Sequence, residues 1–211
     1  AAQTIGTLAG DGAVQLGAFQ LTTAAAADSL FGGSISGSGG LAKLGAGRLT
    51  LAGANLFTGA VDVQQGTLVL AGGAALADGL ALQIGAAGTV VATASETVGA
   101  LAGTGALVLD QGRFTTGGTG SSTRFDGTIR GGGQLAKAGA GSLTLGGTNS
   151  HTGGLALLGG TLAVASDSAL GAVPGAGTPA SLLFDGGTLQ ATASVTLAPT
   201  RQLVLQGAGG T

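Results

Sequence analysis

The sequence predicts an all-β fold: a parallel β-helix of about ten coils stacked into one elongated body. Three observations predict it. First, the chain contains itself twice. Residues 41–70, LAKLGAGRLTLAGANLFTGAVDVQQGTLVL, align without a gap on residues 135–164, LAKAGAGSLTLGGTNSHTGGLALLGGTLAV, with 16 of 30 positions identical. Second, short apolar triplets of period two recur along the whole length. Third, glycine supplies 46 of 211 residues, enough for a tight corner at each change of direction. A unit repeated at fixed period buries its apolar face only by stacking on its neighbours.

The long repeat reaches beyond its best window. TIGTLAGDGAVQLGAFQLTT at 4–23 matches TVGALAGTGALVLDQGRFTT at 97–116, and FGGSISGSGG at 31–40 matches FDGTIRGGGQ at 125–134. GTVVATASETV at 88–98 is echoed by GTLQATASVTL at 187–197. The chain therefore reads as one β-helical segment, 1–211, cut from a longer repetitive protein. Its long units run over 4–96 and 97–195, a third begins near Thr196, and the second carries an insertion around Val173–Pro179.

Along the first half of the chain, strands are predicted at Leu49-Thr50-Leu51, Val61-Asp62-Val63, Leu68-Val69-Leu70, Leu80-Ala81-Leu82, Thr89-Val90-Val91 and Leu107-Val108-Leu109. Further on they fall at Leu143-Thr144-Leu145, Leu155-Ala156-Leu157, Leu162-Ala163-Val164, Leu182-Leu183-Phe184 and Leu203-Val204-Leu205. Each is bounded by Gly, Asn, Asp or Ser. The strands recur about every 18–21 residues, the length of one β-helical turn. At about 4.8 Å per coil, ten coils make a rod roughly 50 Å long with an open strand edge at each end. A helix is a poor alternative, because each glycine costs about 1 kcal/mol there. The one helix-like stretch, Thr22–Asp28, is short and rich in alanine.

Composition excludes several classes. Mean hydropathy of +0.53 argues against disorder, and the glycines lack the every-third-residue pattern of collagen. Net charge is −2, with seven scattered Lys and Arg and no aromatic platform, so no nucleic-acid partner is expected. No cysteine is present, which excludes disulfides and thiolate metal sites. The uncharged stretch 138–166 is interrupted too often by polar residues and glycine to span a membrane as a helix. With neither Trp nor Tyr, the strands cannot form the aromatic girdles of a membrane barrel. No membrane insertion of this segment is expected. The opening AAQTIGTLAG has no basic region followed by an apolar one, so it does not read as a signal peptide.

The paired windows resemble the passenger-associated transport repeat of bacterial autotransporter proteins. The first copy carries Gly45, Gly47, Leu49, Thr50, Leu51, Gly53, Asn55, Thr58, Gly59, Val63, Gly66, Thr67 and Leu68 at the motif positions. The second carries Gly139, Gly141, Leu143, Thr144, Leu145, Gly147, Asn149, Thr152, Gly153, Gly160, Thr161 and Leu162. Phe57 and His151 stand where tyrosine is customary, and Leu157 stands for valine. The resemblance implies a right-handed parallel β-helix and an extracellular or surface-held passenger of a Gram-negative bacterium. It also implies that a separate outer-membrane barrel carries the passenger across.

No catalytic, cofactor or metal residue is expected. His151, the one histidine, occupies the motif's aromatic position, and no GxSxG turn supplies a nucleophile for it. It reads as a turn side chain packed on the scaffold. The acids are Asp11, Asp28, Asp62, Asp78, Glu96, Asp110, Asp126, Asp167 and Asp185. Stacking could bring Asp110 near Asp126 or Arg130 as a general acid/base group, but solvated turn charges are the preferred reading. Gly10–Gly17 and Gly37–Gly47 lack the GK[ST] of a phosphate loop and read as corners. No calcium-binding nonapeptide occurs. Lys43 and Lys137, at equivalent repeat positions, read as solvated charges guarding an edge.

The function expected is structural. A stiff, non-catalytic rod displays loops for adhesion or biofilm formation, with a cell-surface or matrix ligand as partner. The alternative is an extracellular filament whose open ends stack on neighbouring copies. A polysaccharide-acting enzyme is the third reading.

Overall fold

A computed structural model describes residues 3–173 and 181–207. Their strands form a parallel β-solenoid of about ten turns, because each coil's extended pieces pair with the coil before and the coil after. All pairings are parallel. The strands group into three faces. One face runs from Gln3–Ile5 through Leu21–Thr23 and Leu41–Lys43 to Ser142–Leu145, Thr161–Val164 and Thr188–Ala191. A second contains Ser29–Phe31, Arg48–Leu51, Ala106–Leu109 and Thr128–Arg130. A third runs from Glu96–Val98 through Arg113–Thr116, Gln134–Lys137, Leu155–Leu157 and Ser181–Phe184 to Gln202–Leu205.

Period-two alternation explains the core. In Arg48–Leu51, Leu49 and Leu51 are buried while Arg48 is exposed and Thr50 half-buried. Register then stacks like on like. Leu49 lies over Leu68, Leu68 over Val90, and Val90 over Leu107. The result is a continuous column of buried aliphatic side chains, each worth about 1.5–3 kcal/mol relative to exposure.

Two expected pairs of triplets are fused. Val61–Leu70 and Ala81–Ala92 are single bent strands that serve two faces each. Gly66, at φ 72°, makes the bend in the first without breaking its pairing, and the register shifts between Val63 and Gln65. Thr22–Asp28 is a strand end followed by a turn, since Thr22 and Thr23 pair with Ala42 and Lys43. Among the described residues one short 3-10 turn, Asp167–Leu170, interrupts the strands.

Along the second face, coil length varies from the 17 residues between Val90 and Leu107 to the 22 between Leu107 and Ile129. Leu155 pairs with Leu182, 27 residues on, whereas Leu135 pairs with Leu155, 20 on. The insertion expected around Val173–Pro179 falls in that long coil. Apart from Val173 it lies outside the described residues.

The two long repeats do not sit one above the other. In the first, Leu41–Lys43 lies on the first face and Arg48–Leu51 on the second. In the second, Gln134–Lys137 lies on the third face and Ser142–Leu145 on the first. Register carries Lys43 through Val63, Ile84, Gly103 and Phe125 to Leu145, not to Lys137. Since 94 residues is not a whole number of coils, the second repeat is turned by one face.

Candidate functional site

The residues that set the two repeats apart from ordinary β-solenoid turns are polar and buried. Lys43 follows Leu41 by two, so alternation directs it inward, between Thr23 below and Val63 above. It is 1 % exposed, as is Lys137 between Thr116 and Leu157. The reading of both lysines as solvated edge charges is therefore corrected. Their stems fill an aliphatic column, and their ammonium groups reach a corner of main-chain oxygens. Lys43 Nζ donates to the Gly45 carbonyl and, at 3.2 Å, to Gln65 O of the next coil. Lys137 Nζ donates to Ala138 O at 2.6 Å, Gly139 O at 3.0 Å and, in the next coil, Gly159 O at 3.3 Å. Burial lowers the pKa of both ammonium groups, and the charge of Asp28 partly offsets this at Lys43.

Asn55 and Asn149 tie three coils together. Asn55 Oδ1 accepts from Ile35 N of the preceding coil at 2.8 Å. Its Nδ2 donates to Ala75 O of the following coil at 2.8 Å and to Gly53 O at 3.1 Å. Asn149 repeats the arrangement, accepting from Ile129 N at 2.8 Å and donating to Ala169 O at 2.7 Å. A side-chain amide is suited to this because it carries a donor and an acceptor side by side. The motif glycine two residues earlier makes room. A Cβ on Gly53 or Gly147 would run into the carbonyl of Gly33 or Gly127.

A side-chain oxygen caps the corner before each central strand. Asp28 Oδ1 accepts from Arg48 N at 2.8 Å, and Ser122 Oγ accepts from Ser142 N at 3.1 Å. Beneath each lysine, the hydroxyls of Thr23 and Thr116 are buried with no hydrogen-bond partner. Sequence reasoning missed the asparagines, the threonines and the true role of the lysines. The signal available was their identity in both copies.

The copies diverge at the aromatic position and in the coil that follows. Phe57 is fully buried. His151 is 1 % exposed, and neither ring nitrogen has a hydrogen-bond partner. Burial, reinforced by the charge of Arg201, depresses its pKa to about 4. As expected from sequence, it is packed on the scaffold. After the first copy, buried Glu96 accepts from Ala75 N and Leu76 N, both at 3.2 Å. Its carboxyl pKa is raised chiefly by burial, against the pull of those two amides. After the second copy, Arg201 forks onto Asp167, Nε to Oδ1 at 2.8 Å and Nη2 to Oδ2 at 3.0 Å. It also donates to Gly171 O at 3.2 Å and Leu170 O at 3.4 Å. Its side chain is 2 % exposed, and its hydrogen bonds draw the Asp167 pKa down.

Of the remaining acids, Asp78 lies near enough to Glu96 for its charge to help raise that carboxyl's pKa. Asp110, Asp126 and Arg130 are exposed. Asp126 pairs with Arg124, two residues away, at 2.7 Å. Among the described residues no hydrogen bond or ion pair joins Asp110 to Asp126 or Arg130.

This arrangement defines a class: a parallel solenoid punctuated by units that bond three successive coils through buried polar side chains. The family model described as passenger-associated-transport-repeat matches residues 41–70 and 135–164. Those limits enclose both lysines and both asparagines. The chain is also similar to a protein named adhesin BmaC autotransporter, of Brucella suis biovar 1 (strain 1330). The two are 47% identical over 97 residues, which is 46% of this chain and 3% of that protein. The chain thus spans a small part of that relative's length. No solved structure matches it. The two repeats and the relative support an autotransporter passenger domain.

Proposed function

We propose that this chain is a non-catalytic segment of a passenger exported to a bacterial cell surface, where it serves adhesion as a stiff spacer and display surface. The observation that carries the reading is the use of the repeats' polar side chains. Lys43, Asn55, Lys137 and Asn149 spend their hydrogen bonds on neighbouring coils, which builds a scaffold rather than a pocket. The similarity to an autotransporter named as an adhesin gives the same direction. What varies outward, and so what can contact a cell-surface or matrix ligand, is the turns and the half-exposed faces of the strands.

The test is binding. Beads coated with this chain should adhere to cultured epithelial cells or to a fibronectin, laminin and collagen panel above beads coated with albumin. Adherence at the albumin level on every surface would overturn the adhesive reading. Cleavage of any member of a polysaccharide panel, abolished by Asp110→Asn or Asp126→Asn, would overturn the non-catalytic one.

A further inference from the structure

We infer that Lys43 and Lys137 are positioning residues that fix which coil stacks on which. The need arises from the core itself. Inward residues along the lysines' columns are nearly interchangeable: Val63 and Ile84 after Lys43, Leu157 and Phe184 after Lys137. Coil length varies between 17 and 22 residues along the second face, so loop length does not dictate the pairing. A strand that skips one coil, looping it out, still lays aliphatic side chains on aliphatic side chains. Hydrophobic burial has no direction and discriminates poorly between the two pairings.

The lysines do discriminate, because a buried ammonium must find acceptors. Each takes a carbonyl from the next coil that lies immediately before a left-handed glycine. Gln65 precedes Gly66, at φ 72°, and Gly159 precedes Gly160, at φ 62°. The coil after that does not repeat this turn in the same register. Register places Gly88 over Gly66, and Thr188 over Thr161 places Gly187 over Gly160. Neither Gly88 nor Gly187 adopts a positive φ, and beyond the second repeat the left-handed glycine is Gly186, at φ 99°, one position out of register. A coil skipped at either repeat therefore presents the ammonium with a differently shaped corner. The same lysine also bonds carbonyls of its own coil, which anchors it before the next coil arrives. The inference concerns folding register and stands whether or not the chain is adhesive.

The chain contains no cysteine, so a disulfide trap reads register directly. Ala42 is in register with Asp62, and Asp62 with Gln83. Neighbouring coils lie about 4.8 Å apart and alternate ones about 9.6 Å, and a disulfide needs Cα atoms within about 7 Å. Ala42→Cys with Asp62→Cys thus reports the native pairing, and Ala42→Cys with Gln83→Cys reports a skipped coil. Both pairs are oxidised after refolding from denaturant, alone and with Lys43→Met, Lys43→Arg or Leu41→Ala. Ala136→Cys with Ala156→Cys or Leu183→Cys does the same for Lys137→Met.

Lys43→Met is expected to raise the skipped-coil crosslink at least about tenfold over the parent, with little change in denaturation midpoint. Lys43→Arg should restore the parent pattern. Leu41→Ala should lower the midpoint without raising the crosslink. No rise with Lys43→Met or Lys137→Met overturns the inference, and so does an equal rise with Leu41→Ala. Loss of folding with methionine at both positions would make the lysines mere props and overturns it as well.

Discussion

The first and second transport repeats share one half, a set of bonds to the backbone of neighbouring coils, and differ in the other, the aromatic position and the coil that follows. Shared are the lysine at the corner, the asparagine across three coils and the cap before the central strand. Each of these bonds main-chain atoms, which every coil supplies whatever its sequence. The differing half is the aromatic position and the buried charge of the coil that follows: Phe57 against His151, and Glu96 on the Ala75 and Leu76 amides against the Arg201–Asp167 fork. The difference teaches that the repeat is defined by what it asks of the neighbouring backbone. The aromatic position and the buried charge of the next coil change between the copies, and with them changes the response to pH.

The largest expected effect tests the shared half. Asn55→Ala removes an acceptor from Ile35 N and a donor from Ala75 O in the interior, and Asn149→Ala does the same to Ile129 N and Ala169 O. At about 1–3 kcal/mol for each stranded buried group, each substitution should cost about 3–5 kcal/mol in urea denaturation. The two costs should agree within about 1 kcal/mol. A cost confined to one copy would break the claim that this half is common.

Acid should separate the copies next. The pKa of His151 falls from an ordinary 6.5 to about 4 in the folded chain. A depressed pKa means the folded state resists protonation. Its contribution to stability is complete above pH 6.5 and is lost as pH falls through about 4. The loss amounts to about 3 kcal/mol, from about 1.4 kcal/mol per pKa unit. Among the groups facing the ring, Arg201 repels the added charge and Asp167 is already committed to Arg201, while the Ile129 backbone favours the charge by less than burial and Arg201 oppose it. Protection against hydrogen exchange, relative to the intrinsic rate at each pH, should therefore fall between pH 6.5 and 4 around His151 and not around Phe57. His151→Phe should abolish the effect and Phe57→His should transfer it. Equal acid lability in both copies would exclude His151 as its source.

Glu96 should show the opposite sign at smaller size. Its pKa is raised from 4.5 by burial. The folded state holds the proton, so the contribution is complete below pH 4.5 and declines as pH rises through the folded value. Glu96→Gln keeps one acceptor for the Ala75 and Leu76 amides and removes the titration. Above that range the variant should equal or exceed the parent in thermal midpoint, by about 1 kcal/mol at most. A parent that gains stability steadily from pH 4.5 to 7 relative to Glu96→Gln would reverse the sign and sink this account.

Much of the solenoid was legible before the structure, and the reasons are physical. Leu49-Thr50-Leu51 and Leu143-Thr144-Leu145 announce strands because period two and burial coincide there. The histidine's place was legible from the alignment of His151 with Phe57. Leu41-Ala42-Lys43 carried the same alternation and placed Lys43 on the face of Leu41. Lysine as a solvated edge charge is the competing reading, and the structure follows the alternation instead. Asn55 sits in a corner without periodicity, so only its recurrence at Asn149 marked it. The turn of the second repeat by one face was not legible. It depends on summed coil lengths, including the fusion of two triplets within Val61–Leu70.

The smallest effect sharpens what the shared half requires. The capping oxygen is a carboxylate in one copy and a hydroxyl in the other, accepting from Arg48 N at 2.8 Å and from Ser142 N at 3.1 Å. Both sites are exposed, so water competes for the freed amide and the costs are modest. A charged acceptor is roughly twice as strong as a neutral one. Asp28→Ala should cost about 1 kcal/mol and Ser122→Ala about 0.5 kcal/mol. Asp28 also faces the charge of Lys43, which makes its contribution fall with added salt while that of Ser122 stays level. Asp28→Ser, which installs the second copy's cap in the first, should keep the smaller part and lose the salt dependence. If it behaves as Asp28→Ala instead, the cap is electrostatic in the first repeat, and the two copies share a position there but not an interaction.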